Sequence, residues 1–312
     1  MSFLSILNKL AAERQNKPLK LILSTDWYTD CDDVVALSLL CEAHKAGAAQ
    51  LLCVCADSIM PYTAASVDAV LTARGCPEIP IGIDKNAKRP SERCRYQRVL
   101  AEHEHTREND GCPDAVSLFR KTLASLDGKA EIMGIGFMQV ISGLLKSAPD
   151  EFSPLDGISL VKEKVERLWL MAGKWDIDPG SEHNFNLDES AREAGSAVCD
   201  ISPVPIVFLG HEVGVSVITG GEDAPCLLGE AMAAHGSHSG RCSWDPMLAL
   251  LAVTGDVKAA GYKTVRGRAT VDPQTGMNRF FADENGSHCF VVKTEADEYY
   301  ADLINGIVYR CI

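Results

Sequence analysis

Between Leu21 and Leu37 the chain passes from an apolar stretch with strand character, through Asp26, Asp30, Asp32 and Asp33, into an apolar stretch with helical spacing. Four carboxylates this close repel one another. A solvated loop gains nothing from fixing them between a buried strand and a buried helix, so positive charge must sit among them. Oxygen-only ligands point to a hard cation such as Ca²⁺ or Mg²⁺. A strand-to-helix turn with an Asp cap and acidic first-turn residues would suit the helix dipole. That accounts for one or two aspartates, not four.

The rest of the chain places this loop. Apolar runs with strand character at 19–25, 50–56, 79–83, 131–136, 167–172 and 204–209 alternate with helical periodicity at 33–47, 64–74, 115–126, 138–147 and 188–199. A short amphipathic helix at 5–16 precedes them, and further helical pieces read at 229–235 and 246–253. Most strands are apolar throughout, which is the pattern of a parallel sheet covered on both faces. Ligands of such α/β sheets bind outside the carboxyl ends of the strands, which is where a loop after the first strand lies. From about residue 258 onward the pattern changes to short strand-like pieces with turns, read as a β-rich C-terminal extension of one domain spanning 1–312.

Composition narrows the function class. A net charge of −13 argues against nucleic acid or an anionic membrane as partner. No run approaches the ~20 apolar residues of a membrane span. The first twenty residues carry Lys9, Arg14 and Lys17 without an apolar core, so no signal peptide is read there. The 12 cysteines are scattered, often between apolar neighbours, and no CxxC pair occurs. This reads as a cytoplasmic chain with reduced, mostly buried thiols and no structural zinc. His103 and His105 lie in a polar loop at 84–110 and read as surface histidines, and His235 and His238 as solvated loop residues.

Five segments together carry a resemblance. They are Asp26-x-x-x-Asp30-x-Asp32-Asp33; Asp68-Ala69 with Gly75-Cys76-Pro77-Glu78-Ile79-Pro80-Ile81-Gly82; Glu182-His183-Asn184-Phe185 with Asp188; Gly210-His211-Glu212-Val213-Gly214; and Arg241-Cys242-Ser243-Trp244-Asp245. In this order they resemble the inosine–uridine-preferring nucleoside hydrolases, specifically the arm whose acidic loop is longer than the DxDxxxDD form. The resemblance implies an open, mostly parallel α/β sheet with a Rossmann-like core and helices on both faces. It also implies Ca²⁺, a small nucleoside-like substrate, and a homodimer or homotetramer. By the same resemblance Asp26 ligates the ion and takes the proton of the attacking water. Asp33 and Asp245 are further ligands, and the main-chain carbonyl of Gln139 completes the set. Asp32, Asp57, Glu182 and Asn184 fall on the ribose-binding positions, and His183, Trp244 and Trp175 are candidates for the base pocket. These roles suit an oxocarbenium-like transition state, which needs an activated water and nearby negative charge. Asp30 is left between a supporting role and a helix cap.

Three departures bear on the leaving group. Ser24 stands where the family has its first Asp, and Gly136-Phe137-Met138-Gln139-Val140 lacks the usual Thr-Asn pair. Trp244 stands where the purine–pyrimidine enzymes have a His that protonates the base. Besides N-ribosyl hydrolysis, two other readings are therefore carried forward. One is a catalytically silent ribose- or nucleoside-binding protein on the same scaffold. The other is a metal-dependent phosphohydrolase, which would need basic residues in the acidic loop, yet Trp27, Tyr28, Thr29 and Cys31 supply none.

Overall fold

The computed structural model describes residues 3–14, 17–87, 94–225 and 227–309. Its strands in chain order are β1 (Leu19–Thr25), β2 (Ala49–Ala56), β3 (Ile81–Ile83), β4 (Ala130–Gly134), β5 (Val165–Met171), β6 (Ile206–Leu209), β7 (Ile218–Thr219), β8 (Arg241–Cys242), β9 (Tyr262–Val271), β10 (Asn278–Ala282) and β11 (His288–Lys293). Nine of them form one sheet in the order β10-β9-β11-β6-β5-β4-β1-β2-β3, and β7 and β8 pair separately. From β3 across to β11 every neighbouring pair is parallel. Within this sheet the β11–β9 and β9–β10 pairings are antiparallel, so β9 alone runs against the rest. The expected parallel α/β sheet is therefore present. The β-rich segment after residue 258 is no loose appendage. It enters the sheet, because β11 pairs in parallel with β6 and brings β9 and β10 with it.

The apolar character of the strands follows from cover on both faces. One core cluster joins Leu21, Leu23, Met133, Trp169 and Val207 to the helices Asp32–Lys45 and Trp244–Thr254. The opposite cluster joins Ile22, Ile132, Leu168 and Phe208 to the helices Ala115–Ala124 and Gln139–Lys146. Alternate residues of one strand thus enter different cores. The helix Asp32–Lys45 is buried almost continuously from Asp32 to Cys41, as befits a helix that is apolar nearly all round. The final two positions of the expected first helix, 15 and 16, lie outside the described residues. The helices Gly157–Lys164 and Asp297–Val308 were not anticipated, nor was Arg95–Leu100, which lies inside the expected polar loop 84–110 and buries Tyr96, Gln97 and Leu100. No described helix is long and apolar enough to cross a membrane.

The connections put the acidic loop at a switch point. From β1 the chain proceeds outward to β2 and β3, then returns to lay β4 on the other side of β1. A crevice opens where the order reverses, and open α/β sheets bind ligands there. Two non-glycine residues next to this crevice adopt left-handed backbone, Trp27 at φ 44° and Met138 at φ 61°. Such conformations cost of order 1–3 kcal/mol and persist only where the surroundings over-determine them. Trp27 is held by its indole N–H to Ser66 Oγ at 2.8 Å and by an edge contact to Tyr96. Gln97 also donates to its carbonyl.

Gly136 permits the two turns to meet. A Cβ there would lie 2.3 Å from the Asp26 amide nitrogen and 2.8 Å from the Thr25 carbonyl carbon. Gly136→Ala is therefore expected to destabilise the chain by about 1–3 kcal/mol, the usual cost of overpacking. Urea unfolding checks this, and an unchanged midpoint would show that the turns do not need the close approach.

Candidate active site

The carboxyl ends of the parallel strands and the starts of the helices Asp32–Lys45 and Trp244–Thr254 converge on a cavity of about 270 Å³. That lies at the small end of the usual ligand-site range of roughly 300–1,000 Å³. Asp26 follows β1, and Asp32 and Asp33 occupy the first turn of the helix Asp32–Lys45. Ile135 follows β4, Met171 ends β5, and Glu182, His183 and Asn184 come from the segment after β5. His211 follows β6, while Trp244 and Asp245 open the helix Trp244–Thr254. Thr29, Asp30 and Arg241 complete the wall.

The carboxylates are fixed by local hydrogen bonds. Asp33 accepts from the Thr25 hydroxyl and from the Trp27 amide at 3.4 Å. Asp26 Oδ1 accepts the Tyr28 amide at 3.2 Å, and Asp32 Oδ2 accepts the Asp245 amide at 3.1 Å. The last contact ties the first acidic loop to the far segment directly. Carboxylate oxygens of Asp32, Asp33 and Asp245 come within 4.8 Å of one another, all three buried. Asp26 borders the same cavity and feels Asp33, Asp57 and Asp32 as repelling charges.

Burial and mutual repulsion dominate the electrostatics. Burial first, then the charges of Asp33, Asp57 and Asp32, push Asp26 well above the usual carboxylate range. Burial and neighbouring aspartates push Asp32 and Asp245 up likewise. Asp33 is raised by burial to about 7, with the Thr25 hydroxyl working in the opposite direction. Glu182 is raised by burial to about 7, against the amides of Asn184 and Gly173. A cluster that disfavours its own ionised form to this extent is suited to a divalent cation. The donors are all oxygen, as Ca²⁺ or Mg²⁺ prefers.

Glu182 and Asn184 are held as a unit. Glu182 accepts the Asn184 amide at 2.8 Å through Oε1 and the Gly173 amide at 2.9 Å through Oε2. Asn184 Nδ2 donates to the carbonyl of Met171 at 2.9 Å and to that of Ile135 at 3.3 Å. Its side-chain oxygen is thereby aimed the other way. Asp188 caps the following helix by accepting the Ala191 amide at 2.8 Å.

Three expectations from sequence do not reach this cavity. Gln139 is the first residue of the helix Gln139–Lys146 and lines a separate groove with Asp84, Asn86 and Asp114. A carbonyl at the first helical position points along the axis toward the residue four further on. The part of that turn facing the cavity ends before Met138, whose left-handed backbone redirects the chain. Trp175 does not line the wall either. Its ring packs against Phe208 at 4.9 Å, Phe280 at 5.7 Å and Phe290 at 6.0 Å, and its indole donates to the Ala172 carbonyl. Asp57 is fully buried behind the cavity, where it accepts the Ser24 hydroxyl at 2.6 Å. Ser24, at the position of the absent acid, thus supports Asp57.

Arg241 was missed as a functional residue. Its guanidinium grips Asp30 through Nε at 2.8 and 3.0 Å and through a terminal nitrogen at 2.5 Å, and lies over the Trp244 ring at 5.3 Å. Asp30 is consequently neither free nor a helix cap. His235 also approaches Asp30, at 3.9 Å. His211 packs its ring on Trp244 with centroids 5.3 Å apart and accepts the Trp244 indole N–H on its carbonyl at 2.9 Å. The available signal for Arg241 was the unassigned charge of Asp30, which needed a cation from somewhere.

No protein-family profile matches the sequence, and no curated protein matches it. Solved structures do match the fold. An inosine-uridine preferring nucleoside hydrolase from Bacillus anthracis superposes with a TM-score of 0.67 at 15% identity, covering 93% of this chain and 99% of that one. A plant nucleoside hydrolase, PpNRh1, gives 0.70 at 13% identity, over 94% and 100% of the two chains. The type III effector protein XopQ, in a complex with adenosine diphosphate ribose, gives 0.70 at 16% identity, over 98% and 97%. The chain thus has a nucleoside hydrolase-like fold.

The raised carboxylates make a signed prediction. Asp33 has an ordinary value of 3.8 and a folded value of about 7. A group raised on folding contributes stability below its unfolded value and loses it as pH rises through the folded one. Without cation, thermal stability should therefore fall as pH is raised from about 4 to above 7, and added Ca²⁺ should restore more of it at the upper end. Asp33→Asn should raise the cation-free midpoint at pH 8 and abolish the Ca²⁺ response. Differential scanning calorimetry reads both effects, and a variant still stabilised by Ca²⁺ would exclude Asp33 from cation binding.

Proposed function

We propose that this protein hydrolyses the N-glycosidic bond of a ribonucleoside or related N-ribosyl compound, with Ca²⁺, to give ribose and a free base. The observation that carries the reading is the convergence of Asp26, Asp32, Asp33, Glu182, Asn184 and Asp245 on one cavity at the sheet's switch point. Asp26, Asp33 and Asp245 would hold the ion, an all-oxygen set that fits a hard cation. When bound, the ion supplies a lowered pKa and a fixed position for the attacking water.

The side chains divide the remaining work. Asp26 takes the proton that the water releases as its oxygen bonds to C1′. Asp32 accepts a ribose hydroxyl. Each Glu182 oxygen already receives one amide and keeps a second lone pair for the sugar, and Asn184 offers its side-chain oxygen. The carboxylates around the sugar oppose the positive charge that develops on it, and being preorganised they need no rearrangement to do so. Asp245 sits in the first helical turn, so one side chain serves both the helix dipole and the cation.

A second reading is a ribose- or nucleoside-binding protein without turnover. It is supported by Trp244 at the position of the expected acid, and by the likeness to an effector structure holding adenosine diphosphate ribose. One experiment separates the two. Ca²⁺ content is measured, and reducing-sugar release is followed over a panel of purine, pyrimidine and nicotinamide ribosides. Turnover that is lost in a chelator and regained with Ca²⁺ is expected. Stabilisation by ribose or adenosine diphosphate ribose with no sugar released from any riboside would favour binding alone.

Variants refine the roles. Asp26→Asn should lower kcat by at least about 10²–10⁴-fold, the usual contribution of a general base. Asp32→Asn should keep the Ca²⁺ response and raise KM. A Ca²⁺ response lost in Asp32→Asn but retained in Asp26→Asn would exchange their assignments.

A further inference from the structure

We propose that His183 is the residue that protonates the leaving base; this rests on the hydrolase reading above. When the C1′–N bond breaks, its electron pair goes to the base nitrogen. A purine or pyrimidine anion is a poor leaving group unless a proton arrives with the break. The cavity carboxylates serve as acceptors or ligands. Arg241 cannot give up a proton and its fork is held by Asp30. The Trp244 indole N–H is committed to the His211 carbonyl at 2.9 Å. Two imidazoles of the wall remain, His183 and His211.

The surroundings separate them. His183 stands between Glu182 and Asn184, and the backbone on both sides is held by the hydrogen bonds of that pair. Its ring meets Phe137 edge-on, with centroids 5.8 Å apart, and Phe137 meets Tyr28 in the same way. This fixes the imidazole by packing alone. Among the described residues no protein group hydrogen-bonds either of its ring nitrogens, so a ligand can. Burial lowers the His183 imidazole below its ordinary value, and the carboxylates of Asp30 and Asp188 work against that shift. His211 shares the unpartnered ring nitrogen and the lowering by burial but differs in its neighbours: its ring packs on Trp244, and Lys174 adds to the lowering while Asp176 opposes it. A cation beside an imidazole opposes the protonated form, and a carboxylate favours it.

The step balances. The water oxygen bonds to C1′ while its proton passes to Asp26, and the base leaves with the C1′–N electron pair and the His183 proton. Proton exchange with solvent then restores both side chains.

The test compares two substrates on the full chain with saturating Ca²⁺. Inosine needs a proton at its leaving group, whereas p-nitrophenyl riboside leaves as a stable phenolate. His183→Phe preserves the ring contact with Phe137. It should lower kcat on inosine by about 10²–10⁴-fold and leave kcat on p-nitrophenyl riboside within a few-fold. His183→Gln should show the same selectivity. Equal losses on both substrates would mean a structural role and overturn the proposal, as would no loss on either. A selective loss in His211→Phe instead would assign the proton to His211. Wild type that cleaves neither substrate would defeat the hydrolase reading itself, whereas wild type that cleaves both with His183→Phe unimpaired on inosine defeats only the role of His183.

Discussion

Repulsion among buried carboxylates is the constraint around which the rest of this structure is arranged. Burial first, and then neighbouring aspartates, raise the pKa values of Asp26, Asp32, Asp33 and Asp245 at the end of a parallel sheet, where water can do little to screen them. They stay together because backbone amides and the Thr25 hydroxyl oppose the repulsion, and because two packed cores hold the strands and helices that carry them. The left-handed Trp27 is part of the same arrangement. It turns the chain sharply enough that Asp26 and Asp33 face one cavity, although six residues lie between them.

The cavity is polarised. The residues that follow β1 and β5 bring carboxylate and amide oxygens to the wall. Around Trp244 lie the His211 ring and an arginine already neutralised by Asp30. A polyol next to a flat heterocycle matches that division, because hydroxyls need acceptors and a base needs apolar faces with few donors. Arg241 contributes shape to the heterocycle side more than charge, since its fork is filled by a carboxylate and its plane lies over Trp244.

Much of this was legible in the sequence, and the failures have a common cause. The acidic loop could be read because its meaning is local: strand, turn and first helical turn are contiguous, and charges so close call for compensation nearby. The parallel sheet could be read from strands apolar on both faces. Gln139 lines a groove apart from the cavity, and one left-handed residue, Met138, decides where the turn ends and the helix begins; Met is an unusual residue for that backbone. Trp175 looks like a rim residue in isolation, and only pairing between distant strands shows that Phe208, Phe280 and Phe290 surround it. The same non-local pairing hid the fate of the C-terminal strands. Nothing near His288–Lys293 in sequence announces that it will lie beside β6. Asp57 illustrates a different limit, since a buried carboxylate behind the site and one facing it have the same sequence signature.

The hydrogen bond from the Asp245 amide to Asp32 spans 213 residues, and the Arg241–Asp30 pair spans 211. These two closures are of very high contact order, so their loop entropy is met only when most of the chain is already in place. During synthesis the acidic loop emerges early and waits, with its helix and strand, for partners made near the end. A cation on the proposed ligands Asp26 and Asp33 would gain Asp245 only when the helix Trp244–Thr254 docks. Loading of an ion on the proposed ligands would in that sense report the docking of this helix.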